Sequence, residues 1–146
     1  MAVKIYKGIA RCQMPAGKAK PSPRIGQALG PLGLNIAEVC KRFNERVNKD
    51  FVDEVPLRVL LTAYEDRTYD MKISMPTASY FLLKAAGLEK GSRRPGHDVV
   101  GTVDVRQVYE IAKIKQKEEH MTRVSLESVA RSIAASARSM GLKVVK

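Results

Sequence analysis

The hydrophobic pattern of this chain changes its period at Pro76, and that change limits the folds open to it. Before this proline, apolar residues such as Val59, Leu61 and Ala63 recur at every second position, as in a strand. After it, they recur every three or four positions, as in amphipathic helices. A proline also favours extended backbone in the residue before it. We therefore predict two domains, residues 1–74 and 78–146, joined by a hinge at Met75, Pro76 and Thr77.

The N-terminal domain is predicted to combine strands with one long helix. Residues 3–13 alternate as a strand does, and residues 55–75 form a hairpin that turns at 65–68. Asn35 is a good helix N-cap, and Glu38 completes a capping-box pattern ahead of an apolar face that includes Cys40. The expected domain is α/β with a small antiparallel sheet, and Cys40 is expected in its core.

Residues 14–34 are unusually rich in proline and glycine. Such a density argues against a regular helix or strand and predicts a long ordered loop. Ile25, Leu29, Leu32 and Leu34 would hold this loop to the core. The spacing of its glycines matches neither the dinucleotide-binding fingerprint nor the P-loop.

The second half of the chain is predicted to be an all-α helical bundle, so the fold class as a whole is α+β. Thr77, Asp104 and Ser125 are candidate N-caps, and Gly87 and Gly141 are candidate helix ends. Residues 88–101 are expected to form a loop, and residues 142–145 a short apolar tail. The buried stripe of the middle helix is predicted to contain Val105, Val108, Ile111 and Ala112.

The charge of the chain indicates a polyanionic partner. Twenty-six Lys and Arg residues stand against 15 Asp and Glu, which gives a formal net charge of +11. Nucleic acid is a better candidate than a membrane surface, although a basic protein without such a partner remains the alternative. The sequence contains no apolar run long enough to span a membrane and no secretory signal, so no membrane partner is expected.

The last predicted helix carries small polar residues away from its apolar stripe. Ser132, Ser136 and Ser139 share one face, with Arg131 and Arg138 beside it. Small residues allow close approach to folded RNA, hydroxyls bond phosphate or ribose, and arginines clamp phosphate. A solvated, serine-rich face fits the same pattern, and the residues alone leave both interpretations open.

The loop before the middle helix is cationic. Its Lys90, Arg93 and Arg94 lie among glycines, and such a flexible loop can become ordered on a phosphate backbone. An ordinary surface loop is the commoner explanation of such a pattern.

Signals of catalysis or metal binding are weak. His97 and His120 are isolated, and together with Cys12 and Cys40 they lack the short spacings of a zinc site. The pair Glu118-Glu119 is expected to be a solvated helix end. We predict no metal, no cofactor and no enzymatic activity, with a small nucleotide-using enzyme and an RNA-independent protein-interaction module as the competing classes.

Several blocks of the chain, in order from about residue 14 to its end, resemble the large-subunit ribosomal protein L11 family. They are Ala16-Gly17, Pro21-Ser22-Pro23, Gly26, Ala28-Leu29-Gly30, Gly33, Asn35-Ile36, Cys40-Lys41, Phe43-Asn44, Lys84-Ala85-Ala86-Gly87, Gly91-Ser92, Glu110-Ile111-Ala112, Arg131-Ser132-Ile133 and Ala137 to Gly141. Ordered blocks of this kind are more specific than any one motif.

The resemblance implies a structural protein of the large ribosomal subunit that binds ribosomal RNA at the GTPase-associated centre. Its N-terminal domain would face translational GTPases, and neighbouring stalk proteins are further expected partners. The loop expected to face the factors and thiopeptide antibiotics contains Pro21, Ser22, Pro23, Arg24, Gly26, Gly30 and Gly33. Its C-terminal domain would bind RNA through Lys84, Gly87, Lys90, Gly91, Ser92, Arg93, Arg94, Lys113, Arg131, Ser132, Ala135, Ser136, Arg138, Ser139, Met140 and Gly141.

Some positions depart from the family pattern. Arg24 and Thr77 each stand where bacterial relatives usually have a second proline, and Ala135 replaces a glycine. Thiopeptide sensitivity does not follow from the resemblance for that reason. Residues 79–82, 88–91 and 108–115 look more like mitochondrial members, so the expected location is the mitochondrial ribosome in the matrix, with the bacterial cytoplasm as the alternative.

Overall fold

A computed structural model describes residues 5–47 and 51–146, and the chain divides into two compact units, Met1–Pro76 and Thr77–Lys146. The first unit contains an antiparallel sheet of β1 (Tyr6–Pro15), β2 (Pro56–Tyr64) and β3 (Tyr69–Ser74), in that order. The predicted hairpin is confirmed. Val3, which was assigned to the first strand, lies outside the described residues.

One face of this sheet is covered by the helix α2 (Ile36–Val47). Leu57 and Leu61 are buried along β2, and Phe43 of α2 is buried in the same core. The N-cap prediction is confirmed, because the backbone N–H of Ala37 donates to Asn35 Oδ1 at 3.1 Å. Glu38 is an ion-pair partner of Arg42 on the next turn, with a distance of 2.8 Å.

The prediction of an irregular loop over residues 14–34 is wrong in part. Strand β1 continues to Pro15, the helix α1 spans Pro23–Leu29, and a 3₁₀ helix spans Gly30–Leu32. A proline in the first turn of a helix sacrifices no hydrogen bond, so Pro23 starts α1 without cost. Burial of Ile25 and Leu29, one turn apart, then outweighs the low helix propensity of Gly26.

The second unit contains three helices, α3 (Ala78–Ala85), α4 (Val105–Gln116) and α5 (Leu126–Ser139). The predicted caps are confirmed: the side chains of Thr77, Asp104 and Ser125 each accept a backbone N–H of the helix that follows. Leu82, Ile111 and Ile133, one from each helix, are buried in a shared core. Val105 was expected in this core but is 47% exposed, because it is the first residue of α4.

The C-terminal unit is not purely helical, which corrects the expected all-α bundle, whereas the α+β class holds for the chain. Strands β4 (Gly101–Asp104) and β5 (Leu142–Val145) pair in parallel, with Val103 opposite Val144. Four residues are too few to show the alternation of a strand, and the two partners lie far apart in the chain. A Cβ at Gly101 would come within 2.9 Å of Leu88 Cδ1, so glycine permits the close packing.

A buried ion pair closes the end of α4. Lys115 Nζ lies 2.7 Å from Glu118 Oε1, and their side chains are only 8% and 5% exposed. The expectation that Glu118 is a solvated helix end is therefore wrong. A buried charge is tolerated only when it is paired, so each member depends on the other.

Glu118→Gln is expected to destabilise the C-terminal unit by about 3–5 kcal/mol, because it leaves the Lys115 charge buried without its partner. Amide hydrogen exchange of α5 measures this loss as reduced protection. The matched control is Glu110→Gln, which removes an exposed ion pair with Lys113 on the same helix and is expected to change little. Equal losses of protection in the two variants would contradict the dependence on burial.

Candidate nucleic-acid interface

The cationic loop is fastened to the C-terminal end of α5. The backbone N–H of Ser92 donates to the carbonyl of Met140, and that of Val100 donates to the carbonyl of Gly141, both at 2.9 Å. Within the loop, the N–H groups of His97 and Asp98 donate to the Arg94 carbonyl. The loop is therefore fastened to the helix end by backbone hydrogen bonds near both of its ends, and we call residues 88–100 the anchored loop.

Two glycines allow the backbones of the loop and the helix end to meet. Gly141 has φ +77°, a conformation that costs L-residues energy, and it terminates α5 as predicted. A Cβ at Gly141 would overlap Ser92 Cβ and come within 2.8 Å of the Asp98 carbonyl oxygen. A Cβ at Gly91 would lie 3.0 Å from the Met140 carbonyl oxygen. The contact therefore depends on the absence of two side chains.

Two serine hydroxyls of α5 are already used as donors. Ser136 Oγ donates to the Ser132 carbonyl at 3.0 Å, and Ser139 Oγ donates to the Ser136 carbonyl at 2.8 Å. Such bonds to the preceding turn are common for serine in helices. The hydroxyl oxygens are left as acceptors, which suits ribose 2′-hydroxyls and base amino groups better than phosphate oxygens.

Arginines border this face of α5. Arg138 and Ser139 are exposed, Ala135 lies between the serines, and Arg131 pairs with Glu127 at 2.6 Å. The side chains of that pair are 79% and 74% exposed, so it is worth little in water and a phosphate can displace Glu127. The outward face of α5 therefore carries small side chains, presents hydrogen-bond acceptors and is flanked by cations.

Two predicted RNA-binding lysines lie elsewhere in the unit. Lys84 lines a groove between α3 and α4 together with Glu110, the partner of Lys113. The hydrogen bond from Lys113 to Glu110 raises the pKa of that lysine, so it stays charged at neutral pH. Among the described residues, no hydrogen bond or ion pair joins either lysine to α5 or to the anchored loop, and Gly87 (φ +66°) only ends α3.

In the N-terminal unit, the residues predicted to face translation factors form an ordered surface. Ser22 stands at the N-cap of α1, where its carbonyl accepts the N–H of Gly26 at 2.9 Å. Gly30 begins the 3₁₀ helix, and Gly33 ends it with φ +69°. These positions share that surface with Pro21, Pro23 and Arg24, which are exposed.

Side chains from two other elements hold the segment that leads to this surface. Asn44 of α2 accepts the N–H of Ala19 and donates to the carbonyl of Ala19, both at 3.1 Å. Lys7 Nζ donates to the carbonyl of Leu32 at 3.0 Å from the other side. The segment between them is therefore held in place despite its many prolines and glycines.

Sequence reasoning missed a cleft beside the anchored loop. It has a volume of about 680 Å³ and is bounded by the loop, the end of α5 and β5. Its walls come from segments more than thirty residues apart, roughly 96–99 against 134–144, and no local pattern marks them. The side chains that matter for its chemistry are Asp98, Val99, Ala134, Arg138, Leu142 and Lys143.

Metal ligands, membrane-spanning helices and reactive thiols are the other functional features to consider in the part of the chain that the structure describes. No group of three or more metal-ligating side chains occurs among its residues, and none of its helices is long and apolar enough to cross a membrane. Burial raises the pKa of the Cys12 and Cys40 thiols, so thiolate chemistry is disfavoured at both. Cys40 is buried in the core, as predicted.

Comparison with known proteins decides the family. Residues 10–69 match the model described as "Ribosomal protein L11, N-terminal domain", and residues 74–144 match "Ribosomal protein L11, RNA binding domain". The chain belongs to the ribosomal protein L11 family. It is also 44% identical over 144 residues to "Large ribosomal subunit protein uL11" of Roseobacter denitrificans, with 99% of each chain covered.

Membership of the L11 family confirms the resemblance inferred from the sequence blocks. The protein is a structural constituent of the large ribosomal subunit that binds ribosomal RNA, and it is not an enzyme. The competing readings, a small nucleotide-using enzyme and an RNA-independent interaction module, are thereby set aside.

Gly141→Ala is expected to loosen the anchored loop, because its Cβ would collide with Ser92 and force φ out of its present region. The matched control is Gly87→Ala, which has a similar φ of +66° but no atom within 4 Å of the added Cβ. The control variant should lose only about 1–2 kcal/mol of stability, which is the cost of a left-handed conformation for an L-residue. Faster amide exchange at Ser92 and Val100 in Gly141→Ala alone is the expected result; equal exchange in both variants would contradict it.

Proposed function

We propose that the anchored loop and the outward face of α5 form one surface that binds ribosomal RNA at the GTPase-associated centre. The observation that supports this most strongly is the pair of backbone hydrogen bonds that hold the loop to Met140 and Gly141. They place the loop cations beside the end of the small-faced helix. The proposed contact residues here are Lys90, Gly91, Ser92, Arg93, Arg94, Arg131, Ser132, Ala135, Ser136, Arg138, Ser139, Met140 and Gly141.

The two parts of this surface have different tasks in the proposal. The cations of the loop and Arg138 neutralise phosphates, which supplies affinity and its dependence on salt. The acceptor oxygens of Ser136 and Ser139 contact donors in the shallow minor groove, which supplies recognition of RNA. The remaining predicted contacts would bind only RNA that extends beyond this surface, because they lie on or next to α3 and α4; they are Lys84, Gly87 and Lys113.

Arg138→Gln is expected to weaken binding of the full chain to an RNA fragment of the GTPase-associated centre by about tenfold or more, because a hydrogen bond to a charged group contributes about 1.5–3 kcal/mol. The slope of log affinity against log salt should also fall by about one. The control is Arg67→Gln, the same change in the exposed hairpin turn. Matching losses in the two variants would mean that only net charge matters.

We propose that the N-terminal unit presents α1 and the 3₁₀ helix to translational GTPases and to neighbouring stalk proteins. The ordered surface around Pro23 supports this, because a rigid element binds without a large entropic cost. The segment Met75-Pro76-Thr77 is proposed as the hinge on which this unit moves relative to the RNA-bound one. Pro76 stiffens the hinge by fixing its own φ.

Arg24→Glu is expected to slow factor-stimulated GTP hydrolysis on ribosomes that carry the variant, because it reverses an exposed charge on α1. The RNA affinity of the same variant should equal that of the wild type, since Arg24 lies in the other unit. Measurement of both quantities separates the two roles. A variant that lost RNA affinity but kept normal factor response would contradict this division.

The location of that ribosome is a separate proposal. Resemblance to mitochondrial members predicted the mitochondrial matrix. The protein of Roseobacter denitrificans matches the chain over nearly its whole length, and it supports the bacterial cytoplasm at least as well.

A further inference from the structure

We infer that the cleft beside the anchored loop is a pocket for one unstacked nucleobase of the ribosomal RNA, and that this base is a guanine. The inference rests on the proposed function, in which this side of the unit faces RNA. It adds a binding site in which Asp98, Ala134 and Leu142, outside the proposed contact set, join Arg138 from that set.

The floor of the cleft is apolar and its rim is charged. Leu142 is buried at the floor, with Ala134 and Val144 half-buried beside it. A phosphate against such a floor would lose hydration without gaining a partner. The flat face of an unstacked base is the part of RNA that benefits from apolar contact.

The size of the cleft suits one nucleotide. Its volume of about 680 Å³ falls within the range of roughly 300–1,000 Å³ that is typical of small-ligand sites. A duplex is far too wide to enter, so RNA fills the cleft only by extruding a nucleotide. Single-stranded positions, which carry little pairing energy to lose, are the cheapest source.

Cations at the rim match the backbone that accompanies an extruded base. Arg138 and Lys143 are exposed and border the cleft from α5 and β5. In the proposal these two cations neutralise the phosphates that flank an inserted nucleotide. Val99 also lies at the rim, and its side chain is 65% exposed. Insertion of a base would cover that apolar surface.

Asp98 selects among the bases. Its carboxylate accepts hydrogen bonds and cannot donate them when ionised. Guanine offers two adjacent donors on its Watson–Crick edge, the N1–H and the N2 amino group, whereas adenine and cytosine place an acceptor beside their amino group. A carboxylate would therefore pair with guanine and repel the ring nitrogen of the other two. Uracil offers a single donor, its N3–H, between two carbonyl oxygens that repel a carboxylate.

The cleft is formed before RNA arrives. The hydrogen bonds of His97 and Asp98 to Arg94 shape the loop wall, and the bond from Val100 to Gly141 fixes that wall to the helix end. These bonds reduce the loop ordering that binding of a base requires, and with it the entropic cost of binding.

The first test fills the cleft in the full chain with Ala134→Leu. Its control is Ala130→Leu, one turn earlier on α5, where the alanine is also half-buried but does not line the cleft. Affinity is measured for the RNA fragment in which each unpaired nucleotide in turn is replaced by an abasic one. One replacement should weaken binding of the wild type and of Ala130→Leu about tenfold, yet leave the already weakened Ala134→Leu unchanged.

The second test uses Asp98→Asn, which preserves the shape of the loop. Replacing the responsive guanine by inosine, which lacks the 2-amino group, should weaken the wild type several-fold and this variant much less. Absence of a responsive position, or equal binding of the two leucine variants, would overturn the pocket. A responsive adenine would overturn the choice of guanine. If these tests failed but RNA affinity still fell steeply with salt, the proposed function would stand without the pocket. A flat salt dependence would contradict both the pocket and the proposed function.

Discussion

The C-terminal unit depends on how closely two backbones approach at the end of α5. Gly141 turns the chain out of the helix in a left-handed conformation, and the space that its missing side chain leaves is occupied by Ser92 and Asp98. Hydrogen bonds from Ser92 and Val100 then close the junction. The position of the loop cations, the wall of the cleft and the start of β5 all follow from this single contact.

The contact also explains how a small unit holds the proposed RNA-binding surface in place. A cationic loop alone would lose conformational entropy whenever it bound, and that loss would subtract from affinity. Here the loop is ordered by the protein itself, through bonds to carbonyls that the end of a helix leaves unsatisfied. The helix end and the loop therefore satisfy each other's backbone hydrogen bonds, and the cationic side chains remain available to bind RNA.

The sequence predicts features that depend on a few neighbouring residues, but it does not predict pairings between distant segments. The caps at Asn35, Thr77, Asp104 and Ser125 depend on a few neighbouring residues, as does the hairpin, so pattern alone identifies them. Helix α1 was missed because burial of Ile25 and Leu29 overrides the low helix propensity of Gly26, and because Pro23 is tolerated in the first turn.

The candidate site, too, could be predicted only where it depends on local sequence. The serine face of α5 and the loop cations were proposed from local spacing and family resemblance. Their junction and the parallel pair β4–β5 join segments that lie far apart in the chain, so no local spacing predicts them or the cleft. Lys115 and Glu118 are three residues apart, and what their spacing does not predict is that the pair is buried. Local pattern thus names side chains that are suited to RNA, whereas only the fold shows which of them share a surface.

The parallel pairing of β4 with β5 has a consequence for biogenesis. In chain order, β5 follows every element that it helps to close, so a growing chain completes α5 before the strand that forms the other side of the cleft. A nascent unit at that stage exposes arginines and serines without a finished pocket beside them. Selective capture of RNA would thus begin late in synthesis, when β5 pairs, and early encounters would be limited to weak attraction between charges.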